Sequence, residues 1–296
     1  MDGVALVVGE ALVDVVERAD GTTVERAGGS ALNAAVALSR LVRPVLLATS
    51  FGPDARGRLI TEHLAASEVP LARDPHVVAH TSVAHARIGV DGAATYDFDV
   101  TWELGPVAIT NVHVLHVCSL APLLDPGAAV VDELVDRLAP TTTISYDLNV
   151  RPAIIGVGPE VVKRVERMVA RADLVKCSDE DLAALWPSYE EDEVVEHLQD
   201  LSGAPVVVTR GADGVTLALG STAALYVGDP VQVVDTIGAG DTFGAALLDA
   251  LWDRLPAGDL GQVSQEEWLT ALAHASRCAA ITVSRVGADP PWRHEL

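Results

Sequence analysis

The chain has 296 residues, 49% hydrophobic and 21% charged, enough apolar material for one large core and too much for a disordered chain. Its 42 acidic and 20 basic side chains give a formal charge of −22, which repels nucleic acid and anionic membrane over most of the surface. An anionic substrate would therefore need a local source of positive potential. No apolar run approaches the ~20 residues of a membrane span. The start, Met1-Asp2-Gly3-Val4, lacks the basic stretch of a secretory signal. Cys118, Cys177 and Cys278 are too scattered for a disulfide framework or a zinc site, so a reducing cytoplasm is expected.

In chain order, Val4–Val8 reads as a strand buried on both faces, ending at Gly9. Gly28-Gly29-Ser30 opens an alanine-rich helix that closes near Val42, with Ser30 as its candidate cap. Pro44–Ala48 is the next strand. Further strands are expected at Val112–Val117, Thr142–Tyr146, Asp173–Lys176, Pro205–Thr209 and Val231–Val234. Helices are expected at Gly127–Leu138, Pro159–Ala170, Glu193–Leu201 and Ala245–Leu251. Short-spaced alternation of strand and helix implies an α/β protein, a mainly parallel sheet between helical layers.

Two segments break the alternation. Leu12–Glu25 and Val83–Val100 alternate polar and apolar residues around Asp20-Gly21 and Asp91-Gly92, the pattern of hairpins. They are expected to pair into a small projecting sheet. The domain reading is a core of 1–11, 26–82 and 102–296 with a discontinuous lid of 12–25 and 83–101. A projecting sheet leaves a face to cover, so a homodimer through the lid is also expected. Tyr96, Phe98 and Trp102 would cover a ligand or pack the lid. The nine histidines show no metal-ligand spacing, and His76, His80 and His85 read as surface or lid residues.

The most informative stretch is Asp235-Thr236-Ile237-Gly238-Ala239-Gly240-Asp241-Thr242. Three small residues lie where an expected strand passes into a helix. Unpaired N–H groups and the helix dipole there can cradle a phosphate without a lysine. Asp241 in the first turn can take a proton from a hydroxyl while the amides hold the transferring phosphoryl charge. A helix-capping role is the plainer alternative for it. No Gly-Lys-Ser/Thr follows, so this is not a Walker A loop, and no first βαβ unit surrounds it, so it is not a dinucleotide fingerprint.

That stretch resembles the C-terminal motif of the ribokinase-like (PfkB) family of carbohydrate kinases. Gly28-Gly29-Ser30-Ala31-Leu32-Asn33 resembles the family's N-terminal motif, and Gly9-Glu10 with Asp14 the sugar-contacting end of its first strand. Thr209–Gly214 resembles its phosphate-contacting turn, and Ala279–Pro291 its last nucleotide-side helix and turn. The resemblance covers essentially the whole chain and implies a ribokinase-like three-layer fold. It makes Asp241 the general base and Gly238, Ala239 and Gly240 the anion hole. Asp14, Gly28, Gly29 and Asn33 would hold the sugar, and Thr209, Gly211, Gly214 and Gly240 the ATP.

The same resemblance extends to Asp147-Leu148-Asn149-Val150-Arg151, an Asp-x-Asn-x-Arg element of fructokinase-like and ketodeoxygluconate-kinase-like members. It makes Arg151 a clamp for a carboxylate, phosphate or hydroxyl, with a structural ion pair as the alternative. Cys177-Ser178-Asp179-Glu180 falls where many members carry Asn-x-x-Glu. Glu180 then serves hydrated Mg²⁺, and Cys177 replaces the asparagine. Asp235, Ile237, Thr282, Arg285 and Gly287 align with loops that enclose a monovalent cation such as K⁺, with Pro291 replacing a frequent serine. The expected activity is phosphoryl transfer from ATP to a free sugar, a fructose-like ketohexose favoured. Ketodeoxygluconate kinase, ribokinase and a non-catalytic sugar- or nucleotide-binding protein are the alternatives.

Overall fold

The computed structural model describes residues 3–89, 94–257 and 260–296. Among the described residues twelve strands form two sheets. In chain order they are β1 (Val4–Val8), β2 (Leu12–Glu17), β3 (Thr23–Gly28), β4 (Val45–Ala48), β5 (Val83–Ile88) and β6 (Ala94–Asp99). There follow β7 (Val112–Cys118), β8 (Thr143–Asp147), β9 (Leu174–Ser178), β10 (Val206–Thr209), β11 (Val215–Leu219) and β12 (Thr222–Tyr226). The helices are α1 (Ser30–Arg40), α2 (Ala55–Ala66), α3 (Gly127–Leu138), α4 (Pro152–Ile155) and α5 (Pro159–Val169). After them come α6 (Asp179–Leu185), α7 (Glu191–Ser202), α8 (Ala239–Ala250) and α9 (Gln265–Val283).

The large sheet has the order β12-β11-β10-β9-β8-β7-β1-β4. Its strands from β10 to β4 run parallel, and β11 and β12 add an antiparallel edge. Parallel strands must be covered on both faces, and the period of two along each strand divides the core accordingly. In β1, Ala5 and Val7 join the cluster that holds α1, α8 and α9, while Leu6 and Val8 join the cluster that holds α3, α5 and α7. The result is the three-layer α/β architecture read from the alternation.

The small sheet has the order β3-β2-β5-β6. Each hairpin is antiparallel, and β2 joins β5 in parallel register. Asp20 closes the first turn, its Oδ1 accepting from Thr22 N–H at 2.9 Å. The Asp91-Gly92 turn lies outside the described residues. β3 reaches Gly28, so residues 26–28, read as core in the sequence, belong to this sheet.

Three local expectations are corrected. Val231–Val234 is not a strand: the N–H groups of Val234 and Asp235 both donate to Val283 O at the end of α9, and three of its valines stay exposed. Ser30 does not cap α1. Gly29 does, at φ +107°, and the Ser30 side chain turns elsewhere. Trp102 is not a lid residue: it is 1% exposed, donates from Nε1 to Ala121 O at 3.0 Å, and is packed against Gly127. Tyr96 and Phe98 stack on each other in β6, with ring centres 6.2 Å apart.

Candidate active site

Two helix N-termini meet at the carboxyl ends of the central strands, where open α/β sheets bind ligands. Helix α8 begins after Gly238, whose left-handed φ of +75° ends the incoming loop. A side chain there would strike Ala288 at 2.5 Å, so the loop closes only on glycine. The helix then starts six residues earlier than the Ala245 expected from the sequence. Its first turn is Ala239-Gly240-Asp241, whose N–H groups have no carbonyl within the helix to receive them. Ala239 N–H makes a long contact to Thr236 O at 3.3 Å.

Asp241 is buried and held by three side chains from two other elements. Ser30 Oγ donates to its Oδ1 at 2.5 Å, Asn33 Nδ2 to its Oδ2 at 2.8 Å, and Asn149 Nδ2 to its Oδ1 at 3.1 Å. Asn149 takes the left-handed φ of +35° that asparagine tolerates, which brings its amide inward. A carboxylate so aimed can accept a proton without reorienting, the property a general base needs.

A second carboxyl lies behind Ser30. Glu10 Oε1 accepts Ser30 N–H at 3.0 Å, while its Oε2 is buried without a partner. Burial pushes the Glu10 pKa up to about 7, against the pull of Ser30 N–H and Arg151. Gly29 lies against Glu10, where a Cβ would meet Glu10 O at 2.5 Å. The sequence reading gave this glycine to the substrate; its neighbour is the Glu10 backbone.

Asp14 stands on β2 directly across from Arg26 on β3. Burial raises its pKa to about 6, with Arg151 lowering it in part. A small closed pocket is lined by Asp14, Val16, Val24, Arg26, Ile237 and Gly287. Gly28 packs on Asp14, where a Cβ would sit 2.3 Å from Oδ2. Arg151 is exposed, donates to Asn149 O and Val150 O, and makes no ion pair among the described residues. Arg26 likewise makes none there, so two cations without an ion pair among the described residues lie near Asp14.

In the turn expected to hold nucleotide, Thr209 Oγ1 donates to Cys177 O at 3.3 Å, and Gly211 and Gly214 bound a single turn of 3₁₀ helix. Arg210, between Thr209 and Gly211, is tied to Glu191 and Thr216. Cys177 is fully buried on the α5/α7 side of β9, so it does not stand in a ligand contact. Strand alternation instead brings its neighbours Lys176 and Ser178 to the opposite face. Ser178 caps α6, accepting from Asp181 N–H at 3.1 Å. Asp181 spends both oxygens on Ser178 N–H and Val150 N–H, and Glu180 stands exposed beside it.

The cation-loop residues are drawn together by Asp235. Its two oxygens accept Ile237 N–H at 3.1 Å and Gly287 N–H at 2.8 Å, clamping the loop before α8 to the turn after α9. Thr282 is buried and bonded to Thr242, and the Arg285 side chain is paired with Glu295.

Sequence reasoning missed Ser30, Glu10, Lys176 and the Asp147 and Asn149 side chains as neighbours of Asp241, and Arg26 as a neighbour of Asp14. Asp147 and Asn149 stood in the quoted Asp-x-Asn-x-Arg element. Lys176 carried a signal of its own: a lysine inside an apolar strand, one of two lysines in the chain.

Comparison with known proteins finds relatives that span most of the chain. A fructokinase of Rhizobium leguminosarum bv. trifolii is 33% identical over 256 residues, 82% of this chain and 78% of the relative. An ATP-dependent ribose-1-phosphate kinase of Halopiger xanaduensis is 31% identical over 289 residues, 93% and 88% of the two chains. A crystal structure of a double mutant of fructokinase from Vibrio cholerae O395, bound to fructose, ADP and a potassium ion, superposes with a TM-score of 0.84 at 26% identity. It covers 97% of this chain and 95% of that one. Fold and site together define a ribokinase-like α/β kinase. The pfkB family carbohydrate kinase pattern matches residues 4–295, and the chain belongs to that family.

Proposed function

We propose that this carbohydrate kinase transfers the γ-phosphoryl group of ATP to a primary hydroxyl of fructose. The observation that carries the reading is Asp241, fixed by Ser30, Asn33 and Asn149 in the first turn of α8 beside free helical N–H groups. Asp241 takes the hydroxyl proton, and the amides of Gly238, Ala239 and Gly240 hold the transferring phosphoryl. Asp14 and Asn33 offer hydroxyl partners to a sugar. The sheet β3-β2-β5-β6 acts as its cover and as the face on which a second copy pairs. ATP extends toward Thr209, Gly211 and Gly214.

Mg²⁺ arrives with the triphosphate, and the chain's contribution is Glu180 acting through water. Among the described residues no group of three or more His, Cys, Asp or Glu side chains could hold a metal by itself. The Asp235 clamp between two loops fits a K⁺ ion held by backbone carbonyls near Ile237, Thr282, Arg285 and Gly287. The reading places the enzyme in the cytoplasm, consistent with three free, buried thiols. Among the described residues no helix is long and apolar enough to cross a membrane.

A second reading takes an anionic acceptor, a sugar acid or sugar phosphate. Arg26 across from Asp14, together with Arg151, favours it, as does the likeness to a ribose-1-phosphate kinase. One panel separates the two: kcat/KM for fructose, ribose, ketodeoxygluconate, fructose 1-phosphate and ribose 1-phosphate, in wild type, Arg26→Ala and Arg151→Ala. Fructose is expected to be best in all three. A sugar phosphate or acid as best substrate, with that preference lost in either arginine variant, would establish the second reading instead. Sugar binding without turnover of ATP would make the chain a binding protein.

A further inference from the structure

Beneath the first turn of α8 the sheet carries charges that the mechanism above does not use. On β8 and β9, Asp147 and Lys176 form an ion pair, Lys176 Nζ donating to Asp147 Oδ1 at 3.1 Å and Oδ2 at 3.0 Å. Their side chains are 1% and 6% exposed. Nζ lies 3.1 Å from the point that a Cβ on Gly240 would occupy, so the ammonium sits directly under the anion-hole peptide. An ammonium has three protons, and among the described residues its hydrogen bonds go to Asp147 alone. His116 is the next titratable side chain on this face, facing Gly244 from β7. Burial and then Lys176 hold its pKa down, to about 3, so it stays neutral. Burial works against the Lys176 charge as well, but Asp147, Asp181 and Asp241 outweigh it and keep the ammonium charged.

A buried ion pair contributes little net stability compared with a well-packed apolar pair, so its presence here calls for another use. The chain also faces a particular problem. It has eighteen arginines and two lysines against 42 acidic residues, yet it must receive a triphosphate. A fixed cation shielded from solvent acts at full strength where an exposed one is screened.

We propose that Lys176, held in place by Asp147, is the built-in cation of the phosphoryl-transfer site, stabilising from below the charge that gathers at the amide cradle of α8. The proposal rests on the kinase reading. In the step concerned, the acceptor oxygen bonds to the γ-phosphorus and the bond from that phosphorus to the β,γ-bridging oxygen breaks. The bonding pair leaves on ADP, and the hydroxyl proton passes to Asp241. Lys176 exchanges no proton; it is a positioning residue for charge. Gly240 is small for the same reason, since any side chain would separate the peptide from the ammonium.

The test compares wild type with Lys176→Met and with the neutral pair Asp147→Asn/Lys176→Gln, which keeps the volume and a hydrogen bond. Each is measured for kcat, for sugar KM, and by calorimetry for binding of ADP and of ADP with aluminium fluoride in the presence of sugar. Lys176→Met is expected to lower kcat by about 10²–10³-fold, the loss typical of one charge-stabilising group. Sugar KM and ADP affinity should change little, and the tighter binding of the aluminium fluoride complex should disappear. The neutral pair should melt near wild type yet share both defects, so it decides the matter if Lys176→Met fails to fold. Wild-type kcat and wild-type aluminium fluoride affinity in the neutral pair would overturn the proposal and leave the ion pair a packing feature. Failure of the kinase reading would show separately, as absence of sugar-dependent turnover in the wild type.

Discussion

The two faces of the central sheet are built from the same strands and differ in kind. Toward α3, α5 and α7, the middle strands present Leu115, Val117, Ile144, Val175 and Cys177, all fully buried in one apolar cluster. Toward α8, the same strands present His116, Ser145, Asp147 and Lys176, also buried. The helix over the polar strip turns its glycines toward it, with Gly240 next to Lys176 and Gly244 next to Asp147 and His116. Large apolar side chains on one side fill space and hold the sheet flat against its helices. Small residues on the other side let charged groups and backbone amides approach one another. Both faces carry an apolar core, but in the middle strands the face toward α8 also carries a polar strip, and one-residue alternation along β7, β8 and β9 keeps that strip apart from the apolar side.

If that division is real, substitutions on the two faces separate activity from stability. The largest effect is expected at the mouth of the polar face. Asp241→Asn keeps the shape and the contacts from Ser30 and Asn149 but cannot take a proton, so kcat should fall by ~10²–10⁴-fold. ATP affinity and the melting temperature should barely move. Turnover near wild type would remove Asp241 from the role of base.

On the apolar face the reverse is expected. Leu115→Ala leaves a cavity in a fully buried layer and should cost about 2–5 kcal/mol of stability, read from denaturant unfolding. The folded fraction should keep wild-type kcat and KM. A large loss of kcat in the still-folded variant would show that the faces are coupled after all.

The smallest effect sharpens the comparison through pH. Native Glu10 holds its proton to about pH 7, while the unfolded chain releases it near 4.5. The native state thus binds more protons between those values, and stability must fall as pH rises through that window. Glu10→Gln removes this dependence while keeping an acceptor for Ser30 N–H. The variant should match wild type near pH 5 and exceed it at pH 8, by up to about 3 kcal/mol from a shift of some 2.5 units. Melting curves of the ligand-free protein from pH 5 to 8 measure it. Parallel profiles for the two proteins would show that Glu10 is not the group responsible.

The same contrast explains what could be read from the sequence. The proposed anion hole is contiguous and needs small residues in a row, so Gly238-Ala239-Gly240-Asp241 announced itself. The Gly28–Asn33 stretch was legible for the same reason. Lys176, Asp147 and Ser30 were not, because their meaning comes from partners far along the chain. Lys176 and Asp147 are 29 residues apart, and no local pattern pairs them. Cys177 and Lys176 point to opposite faces because adjacent residues in a strand do so, a division that sequence order alone does not display. Val231–Val234 looked like a strand because β-branched residues favour one, but its N–H groups found the end of α9 before a sheet edge.

The contacts that aim Asp241 also set a timetable for the molecule. Its partners Ser30 and Asn33 are 211 and 208 residues upstream. During synthesis the acceptor side of the cleft, with β1, α1 and the first hairpin, emerges long before the carboxylate that completes it. A chain stopped after β12 would possess every described strand of both sheets and lack Asp241. On the proposed assignment, catalysis waits until helix α8 has been made and has packed against α1. Recovery of turnover on refolding would accordingly report the joining of segments some 210 residues apart, a later event than the return of secondary structure.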